Sequence, residues 1–142
     1  MISIKENTKN VKEFNYLFDA VGWGSHDEEI SKKALDNTYY SVSIYDDDKI
    51  IGFGRLIGDT SCYMYIHDII VIPEYQGKKI GAMIMNKLID KVKEIIKECP
   101  DVRVYLGASM GKEGFYKKFG FIERSAANLG AGMILNTHKL NI

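Results

Sequence analysis

Four things are scarce in this chain: membrane-length apolar runs, metal-ligand cysteine spacing, proline, and an excess of either charge. No stretch approaches the ~20 apolar residues of a bilayer span, and Lys5 and Glu6 follow the start with no long apolar region behind them. Neither a membrane helix nor a secretory leader is expected, and the location that follows is cytoplasmic. Cys62 and Cys99 lack the spacing of metal ligands, so two reduced thiols and no metal site are anticipated. Nineteen basic residues cancel nineteen acidic ones, which removes the broad cationic surface of a nucleic-acid binder. Pro73 and Pro100 are the only prolines, and each stands at the edge of an apolar segment rather than inside one. What remains is 142 residues, 46% of them hydrophobic, enough to bury one core, and a single domain over 1–142 is expected.

The apolar pattern divides the chain into short elements. "MISIKE" alternates like an edge strand, and "NVKEFNYLFDAVGW" places Val11, Phe14, Leu17, Phe18 and Val21 at helical spacing. Ser25 stands three residues before Glu28, which predicts a capping box opening a second helix through "HDEEISKKALDN". "TYYSVSIY" and "KIIGFGRLIG" read as a hairpin turned at Asp46–Asp48, and "GDTS" turns the chain into "CYMYIHDIIVI", a strand stopped by Pro73. The strongest helix follows, with a stripe of Ile80, Ile84, Leu88, Val92, Ile95 and Cys99 widened by Met85, Ile89 and Ile96, and closed by Pro100. "VRVYLGA" predicts a strand and "KEGFYKKFG" a short helix. "FIER" and "AGMILNTHKL" predict two late strands.

Between the Pro73 strand and the long helix lies "PEYQGKKIG". A strand entering a helix through a glycine-bearing turn presents unpaired amides and the positive end of the helix dipole, an arrangement suited to phosphate. Neither GxxxxGK[ST] nor GxGxxG is present, and such a turn also serves as a plain connection.

The signature nearby discriminates. Gln76, Gly77, Lys78, Lys79, Ile80 and Gly81 match, except at Lys79, the Gln/Arg-x-x-Gly-x-Gly/Ala turn of the acyl-CoA-dependent GNAT N-acetyltransferases, and the chain resembles that superfamily from about Lys49 to Phe121. The resemblance implies an α+β, three-layer α/β/α fold: a mixed, mainly antiparallel sheet of about six or seven strands, splayed in the middle, with about four helices on its faces. It implies acetyl-CoA as acyl donor, with the turn amides of Gln76, Gly77, Lys78, Lys79, Ile80, Gly81 and Ala82 on the pyrophosphate. It also implies backbone contacts from Ile69, Ile70 and Val71 to the pantetheine arm, with the Ile69 amide polarising the thioester carbonyl. "GFYKKFGF" is similar to the family's late helix and strand, so Phe115 and Phe119 would flank the coenzyme and Tyr116 would face its sulfur. Lys79 stands where glycine is usual. A right-handed conformation, expected here, would make that substitution cheap, whereas a positive φ would cost roughly 1 kcal/mol.

Transfer to an amine of pKa about 10 requires a base. His67 is tuned for the task near pH 7, Asp68 is its neighbour, and a water relay is a third route. Strand alternation places the two residues on opposite faces unless a bulge intervenes, so the base stays open at this point. Tyr116 is the expected acid for the departing thiolate. Trp23, Tyr40 and Arg55, with Tyr39 and the "NLGAGM" stretch, are candidates for the acceptor pocket. The expected partner is a small-molecule or peptide amine; neither nucleic acid nor membrane is expected, and a homodimer is allowed. Two other readings use the same residues: an acyl-CoA-binding sensor without catalysis, and a small nucleotide- or RNA-binding domain.

Overall fold

The computed structural model describes residues 1–140. Met1–Leu106 forms one compact unit and the chain from Gly107 a second.

In the first unit five strands lie in chain order: β1 (Ile2–Glu6), β2 (Tyr40–Asp46), β3 (Lys49–Gly58), β4 (Tyr63–Val71) and β5 (Arg103–Leu106). The first three pairings are antiparallel and β4–β5 is parallel, which requires the crossover that helix α3 (Ile80–Glu98) supplies. The hairpin turn is Asp47–Asp48, between the paired Asp46 and Lys49, and Asp47 takes the positive φ such a tight turn demands. Asp59 holds the next turn by accepting from the amides of Ser61, Cys62 and Tyr63.

Helices α1 (Val11–Ala20) and α2 (Glu28–Asp36) pack on the face that carries Phe53 and Arg55, where Phe14 meets Phe53 edge-on at 5.5 Å. The opposite face receives α3, whose Ile80, Ile84, Met85, Leu88, Val92 and Ile95 are buried. Each fully buried side chain of this size contributes about 1.5–3 kcal/mol as an upper figure. Gly52 and Gly54 make the close approach feasible, because a Cβ on Gly54 would stand 2.5 Å from Ile84 Cγ2 and 2.7 Å from Ile69 Cδ1. The G-x-G of "IIGFGR" therefore sets how tightly α3 sits on the sheet.

The expected capping box does not form. Helix α2 begins after Asp27 without a side-chain cap, and Ser25 instead donates from its amide and its Oγ to the Asp19 carboxylate, at 2.9 and 3.1 Å. A charged acceptor takes both donors, and Glu28 and Glu29 complement the helix dipole without it.

Among the described residues the sheet has five strands rather than six or seven. In the second unit α4 (Glu113–Lys117) forms as expected, with Gly120 at φ 94° ending the turn. The two late strands do not form: residues 121–123 are irregular, Arg124–Ala127 and Thr137–Lys139 are 3-10 turns, and the stretch between them has no regular structure. Met133 and Ile134 are 92% and 97% exposed. Alternating apolar residues define a strand only where a partner accepts the ladder, and within this unit, among the described residues, no strand is present to pair with them. Gly130 and Gly132 add to the entropy such ordering costs.

Candidate active site

Strand β4 carries the site's irregularity. Phe53 pairs with Ile70 and Arg55 with His67, so one residue of β3 opposes two of β4, and the extra residue is accommodated at Asp68, whose φ is 56°. This is a β-bulge. It decides what alternation left open: His67 shares the face of its partner Arg55, and Asp68 turns to the same face, where its Oδ2 accepts from Arg55 Nε at 2.6 Å. Beyond the bulge Ile69 has crossed to the α3 side, against Gly54.

The Arg55–Asp68 pair is mostly withdrawn from water, its side chains 16% and 15% exposed. Arg55 also donates to Ala34 O and Thr38 Oγ1 in and after α2, and its guanidinium lies over the Phe14 ring. Three of its five N–H donors thus tie the end of α2 to the bulge. His67, by contrast, is exposed, with the Tyr65 ring 6.0 Å away as its neighbour.

Pairing of β4 with β5 stops at Ile66 and Leu106. From His67 to Val71, among the described residues, no strand covers that edge of β4. That edge is therefore unpaired where the bulge stands. Ile70 is buried and Ile69 and Val71 half-buried. The Val71 carbonyl accepts from Gln76 Nε2 at 2.9 Å, which ties the following turn to the strand's end. Sequence reasoning assigned Gln76 to the turn amides and missed this bracing role of its side chain.

The turn itself is open. Gly77 lies at φ 78° with nothing within 4 Å of where a Cβ would be. Lys79 lies at φ 67°, ψ 13°, which overturns the right-handed conformation expected for it. The reason is geometric: the chain leaves a 3-10 turn at Pro73–Tyr75 and must reverse before Ile80 enters α3, and a left-handed residue directly before the first helical one makes that reversal. Lysine carries the cost, about 1–2 kcal/mol for an L-residue. Among the described residues, the amides of Gly77, Lys78, Lys79, Ile80, Gly81 and Ala82 have no protein acceptor, the first α3-directed bond being Met83 N to Lys79 O. Left-handed and helical residues in succession aim their N–H groups into a shared concavity, and the dipole of a 19-residue helix stands behind it. Lys78 Nζ lies over the Tyr75 ring at 5.2 Å.

The other candidates are placed as follows. Trp23 is half exposed, edge-on to Phe18 at 5.5 Å and between left-handed Gly22 and Gly24. Tyr40 is buried, and that burial, followed by the Glu6 carboxylate, pushes its hydroxyl up to about 12. In the second unit Tyr116 packs edge-on with Phe115 at 5.1 Å, and Phe119 with Phe115 at 5.3 Å. Burial raises the Tyr116 hydroxyl above the ordinary phenol range, so it holds its proton throughout neutral pH. No helix of the described residues is long and apolar enough to cross a membrane, and no cluster of metal-ligating side chains occurs among them.

A bulged strand with an uncovered edge is followed by a turn of free amides at a helix start, an arrangement suited to an anion. The profile of the acetyltransferase (GNAT) domain matches residues 11–140. The chain is a GNAT acetyltransferase family member. The structure is similar to a Staphylococcus aureus protein of unknown function described as a probable acetyltransferase, with a TM-score of 0.85 and 29% identity over 96% of this chain and 99% of that one. A GNAT family acetyltransferase of Streptococcus pneumoniae gives a TM-score of 0.75 at 27% identity, again over 96% and 99%. The uncharacterized N-acetyltransferase ycf52 of Gracilaria tenuistipitata var. liui is 32% identical over 118 residues, 80% of this chain and 62% of its own length. This GNAT chain thus spans about three-fifths of the length of the curated relatives it matches first.

Proposed function

We propose that the chain transfers an acetyl group from acetyl-CoA to a primary amine by direct attack in a ternary complex. The run of acceptor-free amides from Gly77 to Ala82 carries the reading. A diphosphate needs several converging donors, and this turn keeps them free with open space over Gly77. These amides would hold the pyrophosphate and the uncovered edge of β4 from Ile69 to Val71 would receive the pantetheine arm; Phe115 and Phe119 are the aromatic residues that the family resemblance assigns to the coenzyme. Bound there, acetyl-CoA supplies the activated thioester.

His67 is assigned as the base, directly or through one water. It is exposed and has no hydrogen-bonded partner among the described residues, whereas the Asp68 carboxylate is already engaged by Arg55. His67 takes a proton from the ammonium so that the neutral amine can attack. The Ile69 amide is assigned the developing negative charge on the carbonyl oxygen. As the C–S bond breaks, Tyr116, the acid that the family resemblance implies, would protonate the departing thiolate, and the second proton lost by the amine nitrogen would restore its phenol.

Calorimetry with coenzyme A and a thiol-release assay over an amine panel test this. Binding accompanied by amine-dependent thiol release is expected. His67→Gln should lower kcat about 100-fold, and Tyr116→Phe should lower turnover more than coenzyme A affinity. Binding without release for any amine would leave a coenzyme A sensor in place of an enzyme.

A further inference from the structure

Tyr63, Tyr65 and His67 occupy alternate positions of β4 and share one face, the face of Ile57 and Arg55 with which Tyr65 and His67 pair. Tyr105 of β5 is in register with Tyr65, so it joins the same face. The rings form a continuous row: Tyr63 to Tyr105 at 6.2 Å and 23°, Tyr105 to Tyr65 at 5.5 Å and 28°, Tyr65 to His67 at 6.0 Å and 32°. Tyr63 and Tyr65 are 46% and 42% exposed, while Met64 and Ile66 between them are fully buried on the opposite face. Three near-parallel phenols on open sheet are more apolar surface than a solvated strand requires, and the row ends at the side chain assigned as the base.

We propose that this row is the acceptor-binding track, and that the preferred acceptors are arylalkylamines, whose ring stacks on Tyr65 while the amine sits at His67. The inference rests on the transferase reading and on His67 as base. With the uncovered edge of β4 given to the pantetheine arm, a nitrogen placed at His67 leaves the body of the acceptor two directions along the sheet. Toward β3 it meets the closed Arg55–Asp68 pair; along β4 it meets Tyr65. A ring carried two carbons from the nitrogen covers about the 6.0 Å step from His67 to Tyr65, and offset stacking at such spacings favours an aromatic over an aliphatic group. Tyr105, stacked behind Tyr65, holds that ring upright, so Tyr65 is pre-ordered for the contact.

The test compares kcat/KM for 2-phenylethylamine and n-butylamine, with coenzyme A affinity measured in the same preparations. The wild-type protein should favour 2-phenylethylamine about tenfold. Tyr65→Ala should bring the ratio close to one, Tyr65→Phe should keep it, and coenzyme A should bind both variants as it binds the wild type, which reports a folded chain. Equal use of the two amines by the wild type would overturn the track and leave the transferase standing. Coenzyme A binding with no acetylation of either amine, or of any other in a broad panel, would remove both.

Discussion

Asp68 in the β4 bulge and Lys79 in the turn before α3 hold the same left-handed backbone, at φ 56° and 67°, yet their surroundings are opposite. At Asp68 the chain is fixed from three sides: Arg55 grips the carboxylate, Arg55 is itself bound to Ala34 and Thr38, and Gly54 across the strand pair leaves room for Ile69 to change faces. At Lys79, among the described residues, nothing grips the side chain, and the neighbouring amides have no acceptors. Strain persists only where the surroundings impose it. In the bulge the protein imposes it through its own side chains; in the turn the backbone route into α3 does so, leaving amide donors without an acceptor among the described residues. The first site is held by side chains and the second by the backbone route alone.

Breaking the rigid member should have the largest effect. Asp68→Asn keeps size and tolerates the left-handed conformation, but it leaves the Arg55 guanidinium without its counter-charge in a place only 16% exposed. Loss of one member of such a pair costs about 3 kcal/mol, which thermal unfolding would register as a fall in Tm of about 10 °C for a domain of this size. If the midpoint moves by less than a degree or two, the pair is ornamental and the bulge is held by something else. Gly54→Ala attacks the same bulge from the partner strand. Its methyl would meet Ile84 Cγ2 at 2.5 Å and Ile69 Cδ1 at 2.7 Å, and overpacking of this kind costs about 2 kcal/mol. Since Ile84 belongs to α3, the variant should also weaken coenzyme A binding by displacing the helix start, a linkage that Asp68→Asn should lack.

These devices differ in how far they can be read from the chain alone. Helix α3 and strands β1 to β5 are legible because burial is local and periodic: the isoleucine–leucine stripe and the alternating strands name their own inner faces. The turn was legible as an open, glycine-bearing entry to α3 through its glycines and its match to the GNAT signature. The bulge was not, because nothing in "YIHDII" marks which residue is extra; Gly54 across the ladder and the Arg55 partner of Asp68 decide that, thirteen residues away. The same non-locality misled the reading of Ser25, whose acceptor proved to be Asp19 rather than the α2 start. "AGMIL" alternates enough to suggest a strand, but a strand is a property of two segments, and among the described residues its own unit offers no second one. Tyr63, Tyr65 and His67 do carry a signal in sequence, their spacing of two, yet the parallel register that brings Tyr105 beside them is set by the length of the α3 crossover.

The smallest expected effect sharpens the comparison most. Lys79→Gly relieves a left-handed lysine, worth about 1–2 kcal/mol, but frees the unfolded chain, which returns about 0.4–1 kcal/mol; the net is a stabilisation of roughly 0.5 kcal/mol, a rise of one or two degrees in Tm. The effect on coenzyme A separates two sources of binding at the turn. If the amides from Gly77 to Ala82 do the holding, removing one exposed ammonium costs no more than about threefold in affinity at 0.15 M salt, because solvent and ions screen such a charge. A tenfold loss would show that the lysine replaced the usual glycine to serve the phosphates itself, and that the backbone donors are secondary. A loss of stability in place of a gain would show that Lys79 does not hold a positive φ, and the contrast with Asp68 would fail at its root.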